Sequence, residues 1–145
     1  MEANRGMVLH FSVRGGDFGA AGEASSRAKA ILRQVGLEAD LIRRVAIATY
    51  EAEMNVVIHA RAAQIEMHVD AGRIEVAVVD EGPGIPDIEL AMREGYSTAP
   101  ETAREMGFGA GMGLPNMKRC ADKLEIESRL GIGTTVRMRF DRQRG

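Results

Sequence analysis

Apolar residues recur along this chain with two different periods, and the changes of period divide it into elements. Met7 to Val13 (MVLHFSV) alternates as a short strand does, and Gly15-Gly16 ends it. From Ala20 to Val35 the period changes: Ala28, Ile31, Leu32 and Val35 fall at helical spacing, and Gly36 stops the helix. Asp40 to Ala60 predicts a second, longer helix. It is apolar on most sides through Leu41, Ile42, Val45, Ile47, Met54, Val56, Val57 and Ile58, as a central, well-buried helix is. Ile65–Val69 and Ile74–Val79 predict two strands turned by Asp70-Ala-Gly-Arg73 into a hairpin. From Asp80 to about Gly111 no period holds, apart from a short helical piece near Ile88–Arg93. Helix returns over Leu114–Ala121, and Leu124–Ser128 with Thr135–Phe140 close the chain as a hairpin around Gly131-Ile-Gly133. Hairpin-linked strands, with helices to cover one face, predict a two-layer α+β sandwich without repeat or linker.

Composition narrows the function classes. A chain of 145 residues is expected to form one domain, with enough length to bury a sizeable core. Hydrophobic residues are 45% and charged residues 28%, so burial can offset chain entropy and disorder is not the dominant state. Nineteen basic against 21 acidic residues leave a formal charge of -2, which gives no electrostatic case for nucleic acid or anionic membrane. The single cysteine, Cys120, excludes an internal disulfide framework and a multi-cysteine metal site. His10, His59 and His68 lack ligand spacing, and no apolar run approaches the ~20 residues of a membrane span. The N-terminus has no charged-then-apolar signal pattern, so the expected compartment is the cytosol. What stands out is local: all four prolines lie between Pro83 and Pro115, and four glycines crowd into Gly107–Gly113.

Three places break the rules of their element, which is where chemistry is expected. Glu51 and Asn55 sit in the apolar second helix at a spacing that stacks them on one face. Buried polar groups must be satisfied, so these two either satisfy each other or face a cleft. In a cleft the Asn oxygen suits a hard cation and the Glu suits a base, while Glu53 points elsewhere and is expected to be solvated. The second place is Asp80-Glu-Gly-Pro-Gly-Ile-Pro86, directly after a strand. It is either a plain tight turn or a close approach to a ligand, with Asp80 accepting from a ligand amino group. The third is Gly107-Phe-Gly-Ala-Gly-Met-Gly113-Leu114, which opens a helix. Glycines leading into a helix N-terminus offer backbone N–H groups to an anion, although a flexible linker has the same composition. Neither the P-loop nor the dinucleotide fingerprint occurs.

Taken in order, E-x-x-x-N on a helix, D-x-G-x-G-I-P after a strand and G-x-G-x-G-L at a helix start resemble the N, G1 and G2 boxes of the GHKL, or Bergerat-fold, ATPases. The resemblance spans roughly Asp40 to Phe140, and Gly133-Thr134-Thr135 is similar to that superfamily's closing G-T motif. It implies the histidine-kinase-like ATPase fold: a mixed, mostly antiparallel sheet covered on one face by helices. At this length neither a transducer domain nor a dimerisation helix pair is expected. The chain therefore resembles the free-standing serine kinases of the bacterial sigma-factor switch, which control sporulation and general stress. Glu51–Ala60 is similar to the N box of the anti-sigma kinases, while Gly82–Thr98 is closer to the stress-pathway switch kinase.

Residue by residue, the resemblance implies Glu51 as general base toward a protein serine and Asn55 as Mg²⁺ ligand. It implies ATP held by Asp80 on the adenine amino group, by Gly82, Gly84 and Ile85 beside the base, by Gly109, Gly111, Gly113 and Leu114 at the phosphates, and by Thr134 on the adenine side. Tyr50 stands where a small residue often precedes the Glu, and Gly107 adds a glycine ahead of the usual box. The lid would span about Asp87 to Phe108, with Arg93 and Arg104 in reach of a γ-phosphate or simply solvated. The implied partners are a STAS-domain antagonist as substrate and a sigma factor, with no direct nucleic acid and no membrane; a homodimer is compatible with the family. Two alternatives stay open: an ATP-binding anti-sigma module with little kinase activity, and a detached histidine-kinase catalytic domain.

Overall fold

The computed structural model describes residues 6–93 and 113–142. The alternating segments form five strands: β1 Met7–Arg14, β2 Ala62–Val69, β3 Arg73–Glu81, β4 Lys123–Arg129 and β5 Gly133–Asp141. They make one sheet in the order β1-β2-β3-β5-β4. All four pairings are antiparallel, so the sheet is more regular than a mixed one. The closing hairpin explains this, because it turns β5 back into the place beside β3, antiparallel to both neighbours. In register, Ile65, Val78, Val136 and Ile126 line one row across the sheet, and Met67, Val76, Met138 and Leu124 the next. These rows face the helices and are buried except for the half-buried Leu124 and Ile126 on the edge strand, while Glu66, Arg137 and Glu125 on the opposite face are exposed.

The helices are α1 Glu23–Gln34, α2 Ala39–His59, α3 Ile88–Ala91 and α4 Gly113–Cys120. As its pattern predicts, α2 is central: it packs against α1 and α4 and gives Leu41, Ile42, Val45, Ala48, Ala52, Met54, Val56 and Val57 to the core. Each large aliphatic side chain so buried contributes about 1.5–3 kcal/mol, enough for this helix to carry polar residues at other positions.

The first helix starts later than its apolar pattern predicts. Phe18–Ala20 is a single 3-10 turn, and α1 begins after Gly22, whose φ is +92°. The reason lies on α2. Glu53, expected to be solvated, is 2% exposed and accepts the backbone N–H groups of Gly22, Ala24 and Ser25 at 3.0–3.1 Å. Its carboxylate thus does for the first turn of α1 what an N-cap side chain does from within a helix.

Of the expected lid, Asp87–Phe108, the described part holds α3, capped by the Asp87 carboxylate accepting the Leu90 N–H at 3.1 Å, and an exposed Arg93. Arg104, Gly109 and Gly111 lie outside the described residues.

Candidate functional site

Alternation along β3 places Asp80 on the same face as Ile74, Val76 and Val78. A carboxylate therefore ends an apolar row that points toward the helices. Thr134 does the same at the start of β5, in phase with Val136, Met138 and Phe140, and Ser128 at the end of β4, in phase with Leu124 and Ile126. One end of the covered face of the sheet is thus polar by strand parity alone. Asp80 Oδ1 accepts the Thr134 backbone N–H at 2.9 Å, and the Thr134 and Ser128 hydroxyls lie 2.9 Å apart. Burial pushes the Asp80 carboxyl above the usual carboxylate range, with the Thr134 N–H working against it. Among the described residues its other oxygen has no hydrogen-bond partner.

The loop after β3 is fastened to the closing hairpin. Gly82 N–H donates to Ile132 O at 3.1 Å, Gly131 N–H to Pro83 O at 2.9 Å and Ile85 N–H to Ser128 Oγ at 2.7 Å. Gly84 has φ +81°, and a Cβ there would lie 2.6 Å from Arg129 O. The loop is therefore an ordered close approach of two backbones, beyond what a turn alone requires. Gly82 packs on the end of α2, where an added Cβ would stand 3.1 Å from Ala60 Cα.

Glu51 and Asn55 both lie on a half-buried face of α2, yet they do not satisfy each other. Glu51 Oε2 accepts from Asn116 Nδ2 on α4 at 2.7 Å. Asn55 has no side-chain hydrogen bond to a described residue, and its Oδ1 would stand 3.2 Å from a Cβ on Gly113. The first glycine of α4 is thus where the Asn55 amide packs against the helix start. Leu114, next to it, is 6% exposed and its side chain belongs to the core.

These residues fit a nucleotide with its metal. Asp80 offers an exocyclic amine a carboxylate oxygen that has no described partner, beside a loop whose glycines are held against the end of α2 and the closing hairpin. Asn55 offers one neutral oxygen donor, and the described residues contain no group of three or more His, Cys, Asp or Glu side chains that could hold a metal. One protein oxygen completed by phosphate oxygens and water is how Mg²⁺ is usually held in nucleotide sites. Two members of the arrangement escaped the sequence reading: Asn116, which carries no signal beyond its place in a helix, and Ser128, whose parity with Leu124 and Ile126 was legible.

Comparison with known proteins agrees with this fold. Residues 17–140 match the family model described as a histidine kinase-like ATPase domain. An anti-sigma F factor of Thermoanaerobacter sp. (strain X514) is 38% identical over 102 residues, covering 67% of this chain and 68% of the relative. The serine/threonine-protein kinase RsbT of Bacillus subtilis (strain 168) is 35% identical over 97 residues, covering 64% of this chain and 67% of the kinase. A crystal structure of the RsbU and RsbW domains of a Mycobacterium tuberculosis protein shares the fold, with TM-score 0.63 and 16% identity. It covers 96% of this chain, which in turn spans 33% of that one.

Proposed function

This chain belongs to the histidine kinase-like ATPase domain family, and from that footing we propose that it is an ATP-dependent protein-serine/threonine kinase of the anti-sigma type. The observation that carries the reading is that α2 runs from the start of α4 to the loop that follows Asp80. Asn55 meets the start of α4, and Ala60, about 7–8 Å further along the helix axis, meets the loop that follows Asp80. Asp80 and Thr134 recognise the adenine edge, with Gly82, Gly84 and Ile85 beside the ring. Asn55 would hold Mg²⁺ beside Gly113 at the start of α4, the phosphate end of the site. Gly109 and Gly111, outside the described residues, belong to the same phosphate loop by their sequence.

Bound Mg·ATP supplies the phosphoryl group and the neutralisation of its charge, which is most of what phosphoryl transfer demands of a protein. The chain contributes positioning and a proton acceptor. Glu51, on the face of α2 one turn before Asn55, takes the proton from the hydroxyl of a protein serine. The substrate is a STAS-domain antagonist, and a sigma factor is the second partner, held by the same chain in the cytosol. Relatives named as an anti-sigma F factor and as a serine/threonine-protein kinase support the two-partner reading.

The test is transfer of labelled phosphate from ATP to a STAS-domain protein by the parent chain and by Glu51→Gln. Acid-stable phosphoserine is expected, reduced about a hundredfold or more in the variant while ATP affinity stays within severalfold. Nucleotide-dependent retention of a sigma factor with no transfer would replace the kinase by a binding module. Acid-labile phosphate would replace it by a histidine-kinase catalytic domain.

A further inference from the structure

Glu51 and Asn116 stand 65 positions apart in sequence, on α2 and α4, and meet through one hydrogen bond of 2.7 Å. The other end of the Asn116 side chain is also engaged: its Oδ1 accepts from the Arg119 guanidinium one helical turn away. A guanidinium only donates and a carboxylate only accepts, so the amide of Asn116 has a single satisfactory orientation. Reversing it would set N–H₂ against guanidinium and carbonyl against carboxylate. The amide is thus a polarity-defined clamp between two groups of opposite charge, and it holds one named oxygen of Glu51.

Resting on the reading of Glu51 as base, we propose that Asn116 is the positioning residue that orients it. By holding Oε2, Asn116 fixes the carboxylate plane and leaves Oε1 as the oxygen that meets the substrate hydroxyl. A glutamate has three side-chain torsions, and an unheld one samples many positions of its oxygens. Proton transfer requires a heavy-atom separation of hydrogen-bond length, and misplacement by about 1 Å costs on the order of 100-fold in rate. The clamp also joins the base to α4, the helix whose first residue borders Asn55. The base is thereby kept in register with the phosphate end of the cleft.

Two variants separate positioning from packing. Asn116→Ala removes the donor together with volume. Asn116→Asp keeps shape and can keep Arg119, but places an acceptor-only carboxylate against Glu51. Both should lower the phosphotransfer kcat by about 10- to 100-fold, with ATP Kd and the KM for the protein substrate within about threefold. Asn116→Gln, which restores an amide with longer reach, should recover part of the loss. In a Glu51→Gln background Asn116→Ala should cost little more, because the residue it positions is already gone. A readout independent of turnover is the ¹⁵N-resolved side-chain amide of Asn116 in the nucleotide-free protein. One of its protons should shift when Glu51 is replaced by Ala.

Full kcat in both Asn116→Ala and Asn116→Asp, beside a collapsed Glu51→Gln, would overturn the positioning role and leave the base intact. Full turnover in Glu51→Gln would overturn both. A multiplicative loss in the Glu51→Gln background would show that Asn116 acts through something other than Glu51.

Discussion

Asp80 accepts the backbone N–H of Thr134 at 2.9 Å across 54 positions of sequence, so the carboxylate of one strand is aimed by the backbone of the strand beside it. One carboxylate oxygen is spent on the sheet, and among the described residues the other has no hydrogen-bond partner. Asp80→Asn retains Oδ1 for the Thr134 N–H but turns an amide donor toward the cleft. ATP affinity measured by titration calorimetry should fall about tenfold or more, as loss of a hydrogen bond to a charged acceptor does. Unchanged affinity would take Asp80 out of adenine recognition.

The same substitution makes a pH prediction. Burial raises the native carboxyl of Asp80 above its ordinary value of 3.8. The native state therefore binds that proton more tightly than the unfolded chain. Its contribution to stability is fully present below 3.8 and is lost as pH rises through the native value. Urea melts of the nucleotide-free protein should show Asp80→Asn gaining on the parent across that window, then holding a constant difference toward neutrality. A gain on acidification instead would reverse the sign and refute burial as the cause.

Gly84 and Gly131 both have positive φ, +81° and +78°, but differ in their surroundings. Alanine at Gly131 meets nothing within 4 Å, so it should cost only backbone strain, about 1–2 kcal/mol. At Gly84 the added Cβ would be driven to 2.6 Å from Arg129 O and must push the loop off the hairpin. Gly84→Ala should lower the melting temperature more than Gly131→Ala and also weaken ATP binding, which Gly131→Ala should spare. Equal losses in stability and affinity would mean that the contact between loop and hairpin is not what shapes the site.

Asn55 gives a prediction specific to the metal. If its amide oxygen ligates Mg²⁺, Asn55→Ala weakens Mg·ATP much more than ATP measured in excess chelator. If the residue only packs against the start of α4, both affinities fall alike and the melting temperature falls with them.

Glu53 should behave as the opposite of Glu51. Its carboxylate satisfies three backbone donors at the start of α1, so Glu53→Ala strands buried N–H groups at about 1–3 kcal/mol each before water enters. A loss of about 3 kcal/mol or more in urea unfolding is expected. Glu53→Gln should lose less, because one oxygen still accepts. A fully stable Glu53→Ala would show that α1 does not depend on this cap.

How far the chain could be read follows from the range of the forces involved. Periodicity is local, and it disclosed every described strand and α-helix, because burial of one face imposes its period on the neighbouring residues themselves. The boundaries of α1 slipped for a nonlocal reason: the group that caps it is Glu53, some thirty positions later. By its neighbours Glu53 reads as one polar residue among several on a long helix. Asn116 was equally silent, since an asparagine in an eight-residue helix says nothing about the carboxylate it meets.

The sequence by itself determined the two-layer architecture, the apolar rows and the three motif positions at which those rows are interrupted by Asp, Asn, Glu and glycine. It also determined which side of the sheet Asp80, Ser128 and Thr134 occupy, because strand parity needs no partner. Only the tertiary structure decided which of the two glutamates on α2 caps α1 and which meets α4. A helix of 21 residues presents all its sides, and what each side meets depends on α1 and α4. Hydrogen bonds such as Glu51–Asn116 and Asp80–Thr134 act over about 3 Å in space and across tens of residues in sequence, so they exist only once the sheet and helices have brought their partners together.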